Sequence, residues 1–293
     1  MKQHNKYSYF IGCTIPFRAS NYDLSTRKIL PRLGIDLIDL PDAGCCGLYF
    51  ELINELTYLS MAARILSMAE ERKTDLMVLC SGCNGALHRA NQKLKSNKEL
   101  KDEVNEILKD VDREYKGNIE VKHLIRVLYE DVGLDKIKKE VTNPLTNVRA
   151  AAHYGCHLLK PSRDMNFDDS HSPQSLDKLI EATGAKSIDY YDKNQCCGGY
   201  VLAADAKTAY RMTGEKLEHA KAANADMLIT ACPFCNVMYD ANQKAAETET
   251  QKQYKIPCLH YPQLLALAMG IDAKELGFEQ NRIKPDMTKF GKQ

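Results

Sequence analysis

The sequence predicts an α/β fold assembled twice in tandem, and three observations predict it. Ten of the eleven cysteines fall in one pattern used twice. Short apolar runs of strand length lead up to those cysteines, and helical stretches separate the runs. A chain of 293 residues is long enough to bury two cores.

In chain order, "YSYFIGC" reads as a short buried strand that ends at Cys13, and "IDLIDL" as a second strand leading to the pair Cys45 and Cys46. After that pair, Leu48, Leu52, Leu56, Leu59, Ala63 and Leu66 step by three or four. The spacing predicts an amphipathic helix over 48–71. "DLMVLC" is a third buried strand, followed by the CxxC of Cys80 and Cys83, then Asn84 and a helix. The second half repeats this order with "RAAAHYGC", "KSIDYY", an Ala-rich helical stretch from about 200 to 223, and "DMLITAC" before Cys232, Cys235 and Asn236. Strand and helix alternate in each half. That order predicts a small parallel, Rossmann-like sheet with helices on its faces.

The first half reads C, 31 residues, CC, 33 residues, CxxC; the second reads C, 39 residues, CC, 34 residues, CxxC. The likeness extends further, since His123 and His260 each stand ten residues before a Gly, at 133 and 270. The main length mismatch is the charged stretch from about Leu94 to Gly117, read as an inserted helical excursion without chemistry. "KKEVTNPLTN" is the natural linker, so domains are expected at 1–145 and 146–293.

Net charge is +1, with acids and bases interspersed, so no nucleic-acid partner is implied. No apolar run approaches the roughly 20 residues that span a bilayer, and "MKQHNKYSYFIGC" is too short in apolar residues for a signal peptide. The expected location is the cytoplasm. In that reducing setting eleven cysteines are better explained as metal ligands or redox thiols than as disulfides.

Ligands of parallel sheets gather beyond the carboxyl ends of the strands, where five cysteines of each half arrive. Structural zinc takes four ligands and leaves one thiol over in each half. A thioredoxin-type dithiol suits "CPFC" but leaves six cysteines unused. Inert burial is adopted for Cys258 alone. Iron–sulfur ligation fits the set best, because soft thiolates select such clusters. The vicinal pairs, Cys45 with Cys46 and Cys196 with Cys197, point to a cluster more open than a cube with one thiolate per iron.

This pattern, together with "GCTIPFR" and "GCHLLKP", resembles the duplicated cysteine-rich CCG module found in the B subunit of heterodisulfide reductase. The resemblance covers both halves. It implies two non-cubane 4Fe-4S clusters, held by Cys13, Cys45, Cys46, Cys80 and Cys83 in one half and by Cys156, Cys196, Cys197, Cys232 and Cys235 in the other. It implies an oxidoreductase that reduces the coenzyme M–coenzyme B mixed disulfide to two thiols at facing clusters, with Cys45, Cys46, Cys196 and Cys197 at the catalytic positions. Arg18, His157 and Lys160 are the candidates for holding the substrate's sulfonate, phosphate and carboxylate. Implied partners are a ferredoxin-like subunit and a flavin-containing subunit of the same complex, with a hydrogenase or formate dehydrogenase further upstream. The rival reading is a related iron–sulfur electron-transfer protein of thiol-dependent fumarate reduction, lactate or glycolate oxidation, or sulfur oxidation.

Overall fold

In the computed structural model, which describes residues 5–291, each half forms a four-stranded, all-parallel sheet. The first contains β1 (Lys6–Phe10), β2 (Asp36–Asp39), β3 (Asp75–Val78) and β4 (Val121–His123), in the order β2-β1-β3-β4. The second contains β5 (Arg149–His153), β6 (Lys186–Ile188), β7 (Met227–Thr230) and β8 (Cys258–His260), in the order β6-β5-β7-β8. The central strands are apolar without alternation, Leu76 to Val78 in one half and Ala150 to Ala152 in the other, because helices cover both faces. In both sheets the chain reverses direction of travel between the first and third strands. That switch point opens a crevice at their carboxyl ends.

Two expectations need correction. The helix predicted over 48–71 begins only at Glu55, where the Asn54 side chain accepts the Thr57 N–H at 2.9 Å. Residues 48–50 form a separate short turn, and Leu52 and Ile53 are 97% and 78% exposed. Leu48, Leu52 and Leu56 have helical spacing without sharing a helix. The break comes from Gly47, whose φ of +78° turns the chain out of a strand-to-helix path. The second half departs in the same way: its helix spans Ala206–Ala222, capped by Asp205, which accepts the Thr208 N–H at 3.0 Å.

The charged stretch after Leu94 does contain a helix, Lys98–Leu108, packed on Glu55–Glu71. In the second half Gln243–Thr250 ends the helical run that begins at Pro233, so it matches the end of Ser81–Ser96, and its packing on Ala206–Ala222 answers the packing of that helix on Glu55–Glu71. The stretch is therefore an inserted helix, as expected. The Glu70 carboxylate anchors its end by accepting the N–H groups of Lys116, Gly117 and Asn118.

The halves interlock. Helix Ser20–Arg32 of the first packs on Tyr261–Ala268 of the second, and Ser175–Ala182 of the second packs reciprocally on the first half's helical segments between 124 and 140. One apolar core runs through this contact, including Tyr7, Ile29 and Leu128 with Leu179, Ile229 and Leu264. Tyr261 donates to the Leu179 carbonyl at 3.0 Å, within the second half, and Tyr22 reaches from the first half to the Ala231 carbonyl at 3.3 Å. The strand ends of both sheets are thereby held against one another.

Candidate metal centre

Each cysteine is placed by a local device. Gly12 and Gly155, with φ of +69° and +78°, turn the chain after β1 and β5 and aim Cys13 and Cys156 into the crevice. Cys80 and Cys232 are the N-terminal flanking residues of helices Ser81–Ser96 and Pro233–Asn236, so each CxxC winds its second thiol back beside its first. The CxxC helix of each half packs against the first-cysteine turn of the other half. Gly155 makes this approach close: a Cβ there would lie 2.9 Å from Ser81 Oγ and 3.3 Å from Cys232 Cβ.

All ten motif cysteines line a single pocket. Their sulfurs touch in one unbroken chain: Cys13, Cys45, Cys46, Cys83, Cys80, then Cys232, Cys235, Cys197, Cys196 and Cys156. The order is the same read from either end. The halves join at Cys80 and Cys232, whose sulfurs are 3.9 Å apart. Cys258 lies apart from them, fully buried, its sulfur accepting from Asn236 at 3.4 Å.

Such crowding polarises the thiols. Cys46, accepting from Cys45 and Cys83, is held down at about 4, and Cys196, accepting from Cys156 and Cys197, at about 2. Their neighbours are driven the other way: the link to Cys196 pushes Cys197 up to about 12, and links to Cys46 and Cys80 raise Cys83. Backbone N–H groups also point at sulfur, Gly198 to Cys196 and Gly199 to Cys197, both at 3.4 Å. Ten sulfurs this close ionise together only around a compensating cation. The donor set therefore suits a polynuclear thiophilic group, and a single tetrahedral zinc would leave most of it unused.

The walls of the pocket repeat with an exchange of size. In the first half Leu48 fills the space over Gly82, where a Cβ would come within 2.9 Å of its Cδ2. In the second half the small residue is Gly199 and the large one is Phe234, whose ring would lie 2.5 Å from an added Cβ. Tyr49 and Tyr200 flank the opening with ring centroids 5.5 Å apart, and His157 lies 5.2 Å from Tyr200.

Of the three basic candidates, only His157 lines the sulfur pocket. Burial, with Arg89 nearby, lowers its pKa, so it faces the pocket as a neutral ring. Lys160 borders a small cavity that reaches Cys156 from the other side, and Arg18 is exposed at the end of the short helix Thr14–Arg18. The three are not brought together. Cysteine spacing alone does not single out Tyr49 and Tyr200, yet each stands four residues after the first cysteine of its pair, in "CCGLY" and "CCGGY".

The cysteine-rich domain family CCG matches this chain twice, over residues 7–88 and 150–240. The chain is 42% identical over 284 residues to the B subunit of the ferredoxin:CoB-CoM heterodisulfide reductase of Methanosarcina mazei, covering 96% of this chain and 94% of that protein. It is 33% identical over 287 residues to the 8-methylmenaquinol:fumarate reductase membrane anchor subunit of Wolinella succinogenes, covering 98% and 99%. The crystal structure of a hypothetical protein from Helicobacter pylori shares the fold, with a TM-score of 0.77 and 18% identity over 97% of this chain and 53% of that one. The chain thus belongs to the duplicated cysteine-rich domain family that includes the B subunits of heterodisulfide reductases, a family of iron–sulfur oxidoreductase subunits. Among the described residues no helix is long and apolar enough to cross a membrane.

Proposed function

We propose that this chain is the disulfide-cleaving subunit of a heterodisulfide reductase, and that residues 1–145 and 146–293 each hold one iron–sulfur cluster of opened, non-cubane 4Fe-4S type. The observation that carries this reading is the unbroken chain of ten sulfurs, two sets of five meeting at Cys80 and Cys232. When bound, the clusters would supply electrons singly, and the net change is one disulfide plus two electrons and two protons giving two thiols. The ten cysteines bind. Tyr49, Tyr200 and Phe234 narrow the entrance and keep water from the sulfur wall, leaving an apolar site for a disulfide.

The coenzyme M–coenzyme B mixed disulfide is the substrate we assign. His157, which lines the pocket, would donate to it, Lys160 would attract anionic groups beside Cys156, and the exposed Arg18 would do so from outside. Electrons would come from a ferredoxin-like subunit fed by a flavin-containing one, behind which a hydrogenase or formate dehydrogenase would stand, all in the cytoplasm. The exposed Phe17, Leu52 and Ile53, close in sequence to Cys13 and to the pocket-lining Leu48, suit a chain that works inside such an assembly.

The test is anaerobic purification with iron, sulfide and zinc analysis, followed by reduction of the mixed disulfide with reduced viologen. About eight irons and eight sulfides per chain with turnover are expected; zinc in place of iron would end the cluster reading. The similarity to the Wolinella protein supports a second reading, an electron-passing subunit of fumarate reduction. Full iron content, no reduction of the disulfide and electron transfer to a fumarate-reducing partner would favour it.

A further inference from the structure

The duplicated halves differ in one buried lysine. Anchoring the repeat on Cys46 and Cys197 and on the helix caps Asn54 and Asp205 aligns Lys216 with Ile65. Lys216 is 1% exposed on the helix that backs the second vicinal pair. One turn earlier on that helix, Thr213 donates to the Cys197 carbonyl at 2.9 Å, and a Cβ on Gly198 would lie 2.7 Å from the Ala209 carbonyl oxygen. The Lys216 ammonium donates to the Asp192 carbonyl and lies over the Tyr190 ring, 5.6 Å from its centroid.

A buried ammonium persists only where negative charge answers it. Burial lowers Lys216 to about 8, against which the Asp192 carboxylate and then Cys235, Cys197 and Cys196 act to keep its charge. The Asp192 carboxylate, with His219 Nδ1 2.7 Å away, is the nearer counter-charge, and the second-half thiolates add to it. Among the described residues of the first half no lysine or arginine is buried. Ile65 is fully buried, and the nearest analogue, Arg64, holds the Asp42 and Ala43 carbonyls from a partly exposed position where solvent screens it. The last residues of β1 and β5 differ in polarity as well: Phe10 in the first half is His153 in the second.

We propose that Lys216 makes the second-half cluster the easier of the two to reduce, so that the two sites of the pocket are electronically unequal and the first electron rests in the second half. This rests on the cluster reading above. An electron added to a thiolate-bound cluster raises its negative charge, and a fixed cation in low dielectric stabilises the reduced form; net charge and local dipoles set cluster potentials.

The experiment is a mediated reductive titration of the purified holoprotein, followed by paramagnetic resonance and visible absorption, on the parent, Lys216→Met and Arg64→Met. Two separate reduction steps are expected in the parent. Lys216→Met should lower the potential of the first step toward the second with iron content unchanged, whereas Arg64→Met should leave both in place. Cys13→Ser and Cys156→Ser identify the halves without relying on the lysine variant: only Cys156→Ser should alter the signal that appears first. That assignment decides the matter if Lys216→Met fails to keep its iron. Coincident steps in the parent, or a first signal altered only by Cys13→Ser, overturn the inference while leaving a full iron count to uphold the cluster reading. Absence of iron and sulfide from the parent would overturn the cluster reading itself.

Discussion

The sulfurs of Cys80 and Cys232 meet at 3.9 Å across the boundary between the halves, although the residues are 152 positions apart in the chain. Each is the first cysteine of its CxxC and the innermost thiol of its set. The duplication thus brings two strand-end crevices face to face, and what spacing describes as two pockets is one. Any ligand held there is bordered by both halves.

The vicinal pair should be needed for its own half only. Cys197→Ser is expected to lower the iron content from about eight to about four per chain and to leave the first-half signal in place. Iron and sulfide analysis beside the resonance spectrum checks this. An unchanged count and spectrum would show that Cys197 is not a ligand.

The exchange of Leu48 over Gly82 for Gly199 under Phe234 gives a packing test. Gly199→Leu places a side chain into the Phe234 ring, which an added Cβ already approaches to 2.5 Å, and should destabilise the fold by about 1–3 kcal/mol. Gly199→Leu with Phe234→Gly recreates the arrangement of the first half and should recover most of the loss. Thermal melts of the two single variants and the double variant measure the coupling. Additive losses would mean that the two positions do not share one space.

Three buried histidines should make stability fall in mild acid. His123, at about 4, and His153 and His260, each at about 3, are held below their usual 6.5 chiefly by burial. The unfolded chain binds protons first, so this stability is complete above about pH 6.5 and declines as pH falls toward 4. The slope is about 1.4 kcal/mol per pH unit for each histidine. His153 has no hydrogen-bond partner for either ring nitrogen, and its first-half counterpart is Phe10. His153→Phe should therefore keep the fold and remove one histidine's share of the slope, read from urea midpoints at pH 7.5 and 5.5. An unchanged slope would exclude His153 as one of the groups responsible.

The convergence of the cysteines was legible because each follows an apolar run of strand length, and parallel strands deliver their carboxyl ends to one edge. The facing of the two sets was implied by the family resemblance alone, since spacing within a half carries no information on how the halves pack. That contact depends on Ser20–Arg32 meeting Tyr261–Ala268 and on Gly155 admitting Ser81, relationships between residues distant in the chain. The early helix start failed for a local reason. Leu48 and Leu52 continue the stripe of Leu56 and Leu59 on paper, but the left-handed Gly47 and the cap at Asn54 divide them, and Leu48 serves the pocket instead of the core stripe. Lys216 was not legible either, because one lysine in a charged, Ala-rich helix looks solvated until burial is known.

Neither half should suffice for turnover. A disulfide lying in the pocket has Cys46 and its neighbours on one side and Cys197 and its neighbours on the other, and its cleavage yields two thiols that must both be held or released. Losing the ligands on one side leaves a sulfur without a site while the first electron arrives. Cys46→Ala and Cys197→Ala are each expected to abolish reduction of the mixed disulfide when assembled with the electron-donating partners, even where the surviving half still accepts electrons in a stopped-flow measurement. The two losses should also not add, because the halves act as one unit. Turnover near the parent rate in a variant shown by analysis to lack one half's iron would mean that scission takes place at a single site, with the other half a structural twin.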